Sequence, residues 1–176
     1  MFFISRALPL MMAIIVSTET GAADQSEAKM EEQYDKLEAK GIPKHIMVWM
    51  NGTMEIDENG AYTPSEKSFD WKTLCSLLKD GHVLCRFINI LLEAAEKETV
   101  KCQKNPTSMF AIMTNIESFN KGCEQYGLDR KYFLRSEDLW ELRKGSFCNV
   151  INCLHNLGLL ANSRSFIPKY TGEVTN

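Results

Sequence analysis

The sequence predicts an all-α globule of about four main helices joined by short ones. Three observations carry that prediction. Apolar residues recur at i, i+3, i+4 and i+7 in several separate segments. Runs that alternate apolar and polar residues are missing, and no Asn-Gly pair joins two such runs as a hairpin would require. Turn and capping signals bound the periodic segments, at Gly41-Ile-Pro43, Asn51-Gly52, Asp80-Gly81, Thr107 or Ser108, Gly127 and Gly158. The 176 residues suffice for one domain with flanking sequence. With 44% apolar and 24% charged residues the chain is globular, not disordered, collagen-like or coiled-coil. The net charge of −3 gives no general attraction for nucleic acid or for an anionic membrane.

Residues 1–23 differ from the rest. Ala7 to Val16 is a short apolar run with Arg6 before it, and Gly21, Ala22 and Ala23 follow. This is the pattern of a secretory leader with cleavage after Ala23; a disordered or alternative start is the other reading. The run is too short for a stable membrane span. Residues 24–42 form an acidic amphipathic helix or linker, with six acidic and three basic residues between Asp24 and Lys40. Met30, Tyr34 and Leu37 mark its apolar side. Gly41 breaks it, and Pro43 suits the first turn of the next helix. Ile42, Ile46 and Trp49 make that helix's stripe, which is expected to end at Asn51-Gly52. The polar stretch 53–68 reads as a loop.

Trp71, Leu74, Cys75 and Leu78 mark another helix, and Asp80-Gly81 makes the turn into the next. There Leu84, Phe87, Ile88 and Leu91 repeat the same spacing. Residues 93–106 form a loop, and Thr107 or Ser108 caps the helix that follows. Its expected buried face is Met109, Ile112, Met113, Ile116, Phe119 and Cys123, ended by Gly127. A short helix lies near Asp138 to Leu142. Phe147, Val150, Ile151, Leu154 and Leu157 form the last stripe, which Gly158 is expected to stop. The helices around Leu84 and Ile116 are expected at the centre, because their apolar faces are broadest. Trp49, Trp71 and Trp140 are read as core anchors.

Six cysteines and the sequon Asn51-Gly-Thr53 are compatible with secretion. Five of the six cysteines lie in helical segments on or beside apolar stripes, so reduced, buried thiols explain them more simply. Neither the cysteines nor His45, His82 and His155 have zinc-ligand spacing, and no metal or other cofactor is expected. Cys153 and His155 point apart on a helix, and no catalytic constellation is visible, so no enzyme activity is expected.

Leu78-Lys-Asp-Gly-His-Val-Leu-Cys-Arg-Phe-Ile-Asn89 resembles the signature of calponin homology domains. Asn115-Ile-x-x-Phe119, Tyr126-Gly-Leu128 and Asp138-Leu-Trp-Glu141 resemble the family's later motifs, in the right order. The resemblance covers residues 43–160 and leaves 161–176 as a polar tail. It implies a compact calponin-homology bundle of the single signalling or calponin type, similar to the N-terminal domain of Vav-type Rho exchange factors. It also implies a non-enzymatic, monomeric, cytoplasmic module that binds actin filaments or a cytoskeletal or signalling protein. The face around Lys44, His45 and Met47 is a candidate filament contact. If the chain instead acts as a regulatory module or short isoform of a Vav-like protein, the tail residues Ile167, Pro168 and Tyr170 are the analogous contact. No exchange domain follows within these residues, so exchange activity is not expected. The third reading, from the leader, sequon and even cysteine count, is a secreted, disulfide-bonded helical protein.

The placement of the central helix is directly testable. Leu84→Ala is expected to lower unfolding free energy by about 2–5 kcal/mol in urea titrations, as a large-to-small core change. A loss well under 1 kcal/mol would contradict it.

Overall fold

A computed structural model of the chain describes residues 8–54 and 70–174, with side chains from residue 24 on. Among them are seven α-helices, one 3-10 turn and no strand, as the periodicity predicts. In chain order the helices are α1 (Leu8–Ala39), α2 (Ile42–Met54), α3 (Trp71–Leu78), α4 (His82–Ala94), α5 (Met109–Tyr126), α6 (Glu137–Trp140) and α7 (Lys144–Ser163). The 3-10 turn covers Arg130–Tyr132. None of these helices is long and apolar enough to cross a membrane. Most of the expected loop 53–68 lies outside the described residues. Its first two residues belong to α2, which runs past Asn51-Gly52 to Met54.

The acidic segment is part of α1, whose backbone is helical through residues 8–23 as well. It packs along α7 rather than standing in solvent. Tyr34 is fully buried, its ring 6.2 Å from that of Phe147. Asp35 pairs with Lys144, whose ammonium also lies 5.3 Å from the Tyr34 ring centre. Glu27 Oε1 accepts the Gly145 backbone N–H at 3.1 Å. A carboxylate from α1 therefore caps one of the unpaired amides at the start of α7, where the helix dipole favours negative charge.

The helix expected beside α4 at the centre is α5, but α7 takes that place. Eleven of its residues are buried, including Phe147, Val150, Ile151, Cys153, Leu154 and Leu157. Gly158 does not stop it. Gly158 lies within the helix, and the Tyr170 ring sits against it, within 2.5 Å of where a Cβ would stand. In α5, Ile116, Phe119 and Cys123 are buried as expected, whereas Met109 and Met113 are exposed and Ile112 is half-buried. Ser108 caps this helix, its hydroxyl accepting the Ala111 N–H at 3.2 Å, and Gly127 ends it at φ +104°. Of the three tryptophans only Trp49 is a full core anchor; Trp71 is half-buried and Trp140 is exposed.

Loops are tied down by side-chain amides and a carboxylate. Asp138 Oδ2 accepts the Arg135 N–H at 2.8 Å, and Oδ1 accepts from Asn149 Nδ2 at 2.8 Å. This latches α6 to α7, while burial raises the Asp138 carboxyl above its ordinary range. Asn120 similarly holds Leu134 by both its backbone groups, at 2.8 and 3.0 Å.

The cysteines divide. Cys85 and Cys102 form a disulfide, which corrects the expectation that all six act as reduced hydrophobes. Their sequence positions do not signal the pairing, because the loop carrying Cys102 is brought to α4 by tertiary contacts. Cys75, Cys123, Cys148 and Cys153 are free and buried. The sequon gains nothing as an acceptor, since Asn51 to Thr53 is helical and Thr53 is buried.

The turn into α4 requires glycine twice over. Gly81 has φ +73°, and a Cβ there would stand 2.8 Å from Asn115 Cβ and 3.2 Å from the Ile116 backbone nitrogen. Gly81→Ala is expected to cost about 1–3 kcal/mol through strain and displaced α5 backbone, read from thermal melts.

Candidate functional site

The structure brings the two groups of candidate contact residues together. The tail after α7 folds back across α2, although more than a hundred residues separate them. His45 Nδ1 is 2.7 Å from Thr171 Oγ1. Trp49 Nε1 donates to Pro168 O at 2.9 Å, and the Pro168 ring lies against Gly52, 3.4 Å from where a Cβ would stand. The result is one surface, built from the outer side of α2 and the chain from Phe166 to Thr171.

Five hydrogen bonds, the two above included, and ring contacts of Tyr170 with Trp49 and His155 hold the tail there. Asn162 binds both backbone groups of Tyr170, donating from Nδ2 to O at 2.7 Å and accepting from N at 2.9 Å. The Tyr170 hydroxyl lies 2.7 Å from His155 Nδ1, inside the core. Its ring packs 5.3 Å from that of Trp49, which in turn stands edge-on to Phe87 at 4.8 Å. Trp49 thus carries both a core contact and the tail, the usual economy of an indole with one apolar body and one N–H.

The six candidate residues therefore differ in availability. Lys44 and Ile167 are exposed, Ile167 by 78%. His45 and Pro168 are half-buried at the seam. Met47 and Tyr170 are in the core, at 5% and 3% exposure, and offer no direct contact on the surface as folded. Their spacing misled because Met47 lies next to the Ile46 stripe, and because a tail tyrosine reads as solvated until its pocket is known. Val48 was missed. It is 60% exposed and one helical turn after Lys44, so it puts an apolar side chain beside the lysine. Its position off the Ile42–Ile46–Trp49 stripe is the signal that marks it as outward-facing.

A model of the calponin homology (CH) domain matches residues 43–163. The chain belongs to the calponin homology family. It is 33% identical to myophilin of Echinococcus granulosus over 161 residues, which cover 90% of this chain and 72% of myophilin. It is 34% identical to Rac guanine nucleotide exchange factor B of Dictyostelium discoideum over 94 residues, 53% of this chain and 7% of that protein. Human proto-oncogene vav is 29% identical over 133 residues, 72% of this chain and 16% of vav. The chain thus spans most of a small relative and a minor part of two large ones. The matched CH domain ends with the last residue of α7. The candidate face accordingly joins the first helix of the CH domain to residues just beyond it.

Burial, with Lys40 adding to it, holds the His155 imidazole below the ordinary histidine range. As pH falls, the unfolded chain protonates this histidine first. The stability that depends on neutral His155 is therefore present above the ordinary histidine range and is lost as pH falls toward the folded-state value. Urea midpoints between about pH 8 and about pH 5 are expected to fall, and His155→Gln is expected to flatten that fall. Tyr170→Phe, which leaves His155 Nδ1 unpaired in the core, is expected to cost about 1–3 kcal/mol at neutral pH.

Proposed function

We propose that this chain is a non-enzymatic, monomeric protein-binding module of the actin cytoskeleton, working in the cytoplasm. The observation that carries this reading is the joined face of α2 and the tail, presented by a CH domain. Lys44, Val48 and Ile167 supply a cation and two exposed apolar groups, and His45 and Pro168 lie half-buried at the seam. Binding energy at such a surface comes from a few anchors on a rigid support. The support here is α2, whose inner side is locked into the core by Ile46, Trp49 and Met50. Met47 and Tyr170 hold the face in shape from beneath. The extensive likeness to myophilin favours a small CH protein that functions through this domain.

A second reading has its own support in the likeness to vav and to a Rac exchange factor. In it the same face packs against another domain or a signalling partner, and the tail sets the geometry of that contact.

Co-sedimentation of the full chain with filamentous actin, at low and at physiological salt, tests the first reading. Saturable binding in the micromolar range at physiological salt is expected. Lys44→Glu and Ile167→Asp, both on the surface, are each expected to weaken it about tenfold without lowering the melting temperature. Absence of sedimentation under both conditions would overturn the actin reading and favour the regulatory one.

A further inference from the structure

The loop 95–108 between α4 and α5 has no regular secondary structure, yet two asparagines fix it. Asn89 on α4 binds both backbone groups of Val100, donating at 2.9 Å and accepting at 2.8 Å. Asn115 on α5 does the same for Gln103, accepting at 2.8 Å and donating at 3.0 Å. These clamps bracket Cys102. Its place against α4 is therefore set by four hydrogen bonds that involve no sulfur. Cys85 lies one turn before Asn89 on α4 and is bonded to Cys102. Its sulfur is 3.2 Å from the Asn115 backbone oxygen, an acceptor waiting for a thiol.

We propose that Cys85 and Cys102 are a reversible thiol–disulfide couple, a modification site whose two forms share one fold. Access makes it selective. Cys102 is half-buried, while Cys85 and the other four cysteines are closed off. Burial also pushes the Cys75 and Cys148 thiols up to about 11, and the Cys123 thiol well above its ordinary value. A small thiol such as glutathione reaches one sulfur, that of Cys102. Its thiolate attacks Cys102 Sγ, the Cys85–Cys102 bond breaks, and Cys85 leaves with the electron pair. Cys85 then takes a proton from water and donates its S–H to the Asn115 oxygen. A second glutathione thiolate attacks the glutathione sulfur of the mixed disulfide and releases Cys102. Two glutathione thiols become one glutathione disulfide, and one protein disulfide becomes two thiols. Glutathione disulfide drives the reverse sequence, because the clamps keep the two cysteines in place.

The test equilibrates the full chain across a series of reduced-to-oxidised glutathione ratios, quenches it in acid, and alkylates it in denaturant. Mass spectrometry is expected to count the four unpaired cysteines at the oxidising end and all six at the reducing end. In the folded, reduced chain Cys102 is expected to react with iodoacetamide at least about tenfold faster than the others. Helical circular dichroism and a cooperative melt are expected to persist on reduction and in Cys102→Ser. Asn89→Ala, which opens one clamp, is expected to slow reoxidation by about tenfold. Loss of the cooperative melt on reduction and in Cys102→Ser would overturn the proposal and make the bond a structural staple. Six labelled thiols at every ratio would overturn it as well, and wild-type reoxidation in a folded Asn89→Ala chain would remove the clamps as its cause.

Discussion

The structure depends on the need of α7 to be surrounded. A helix with apolar residues on most sides cannot rest on one partner; neighbours must cover it all round. Six elements do so here: α1, α2, α3, the 3-10 turn, α6 and the tail through Tyr170. Three of them bring a specific polar contact. Glu27 caps the start of α7, Asn149 reaches the buried Asp138, and Asn162 near its end holds the tail. Small residues set the closest approaches. Gly145 admits the backbone of Glu27, and Gly158 admits the Tyr170 ring.

Where the chain leaves helices, asparagine takes over the work of a sheet ladder. Asn89, Asn115, Asn120 and Asn162 each bind both backbone groups of one distant residue. An amide side chain matches a peptide group in donor and acceptor, so one residue satisfies a strand-like segment that has no strand beside it. Segments that would otherwise leave backbone groups unpaired against the core are thereby fixed. The tail that builds the candidate face and the loop that carries Cys102 are both held in this way. The same local device thus underlies the proposed contact surface and the proposed redox couple.

The candidate face itself divides support from contact. Trp49 packs on Phe87 and donates to Pro168 O, so the α2–tail seam is tied to α4. The exposed groups, Lys44, Val48 and Ile167, sit on that support without contributing to it. A surface of this kind can change partner preference by substitution while the fold stays intact. This fits a family in which the chain resembles both a small calponin-type protein and parts of large exchange factors.

The sequence by itself determined the main helices, most of their inward residues, a cap at Thr107 or Ser108, the Gly127 stop and the Asp80-Gly81 turn. These follow from periodicity, capping and left-handed backbone, which act within a few residues. The family motifs added the order of the elements. Only the tertiary structure decided that α7 rather than α5 is central, that α1 docks, and that Met109, Met113 and Trp140 face outward. It also decided that Gly158 is a packing position, that Cys85 pairs with Cys102, and that Tyr170 is an anchor while Ile167 is exposed. Each of these turns on contacts between residues far apart in the chain, such as Trp49 with Pro168 or Glu27 with Gly145. Such contacts leave no trace in local spacing, because a stripe shows that a face is apolar but not which neighbour will cover it.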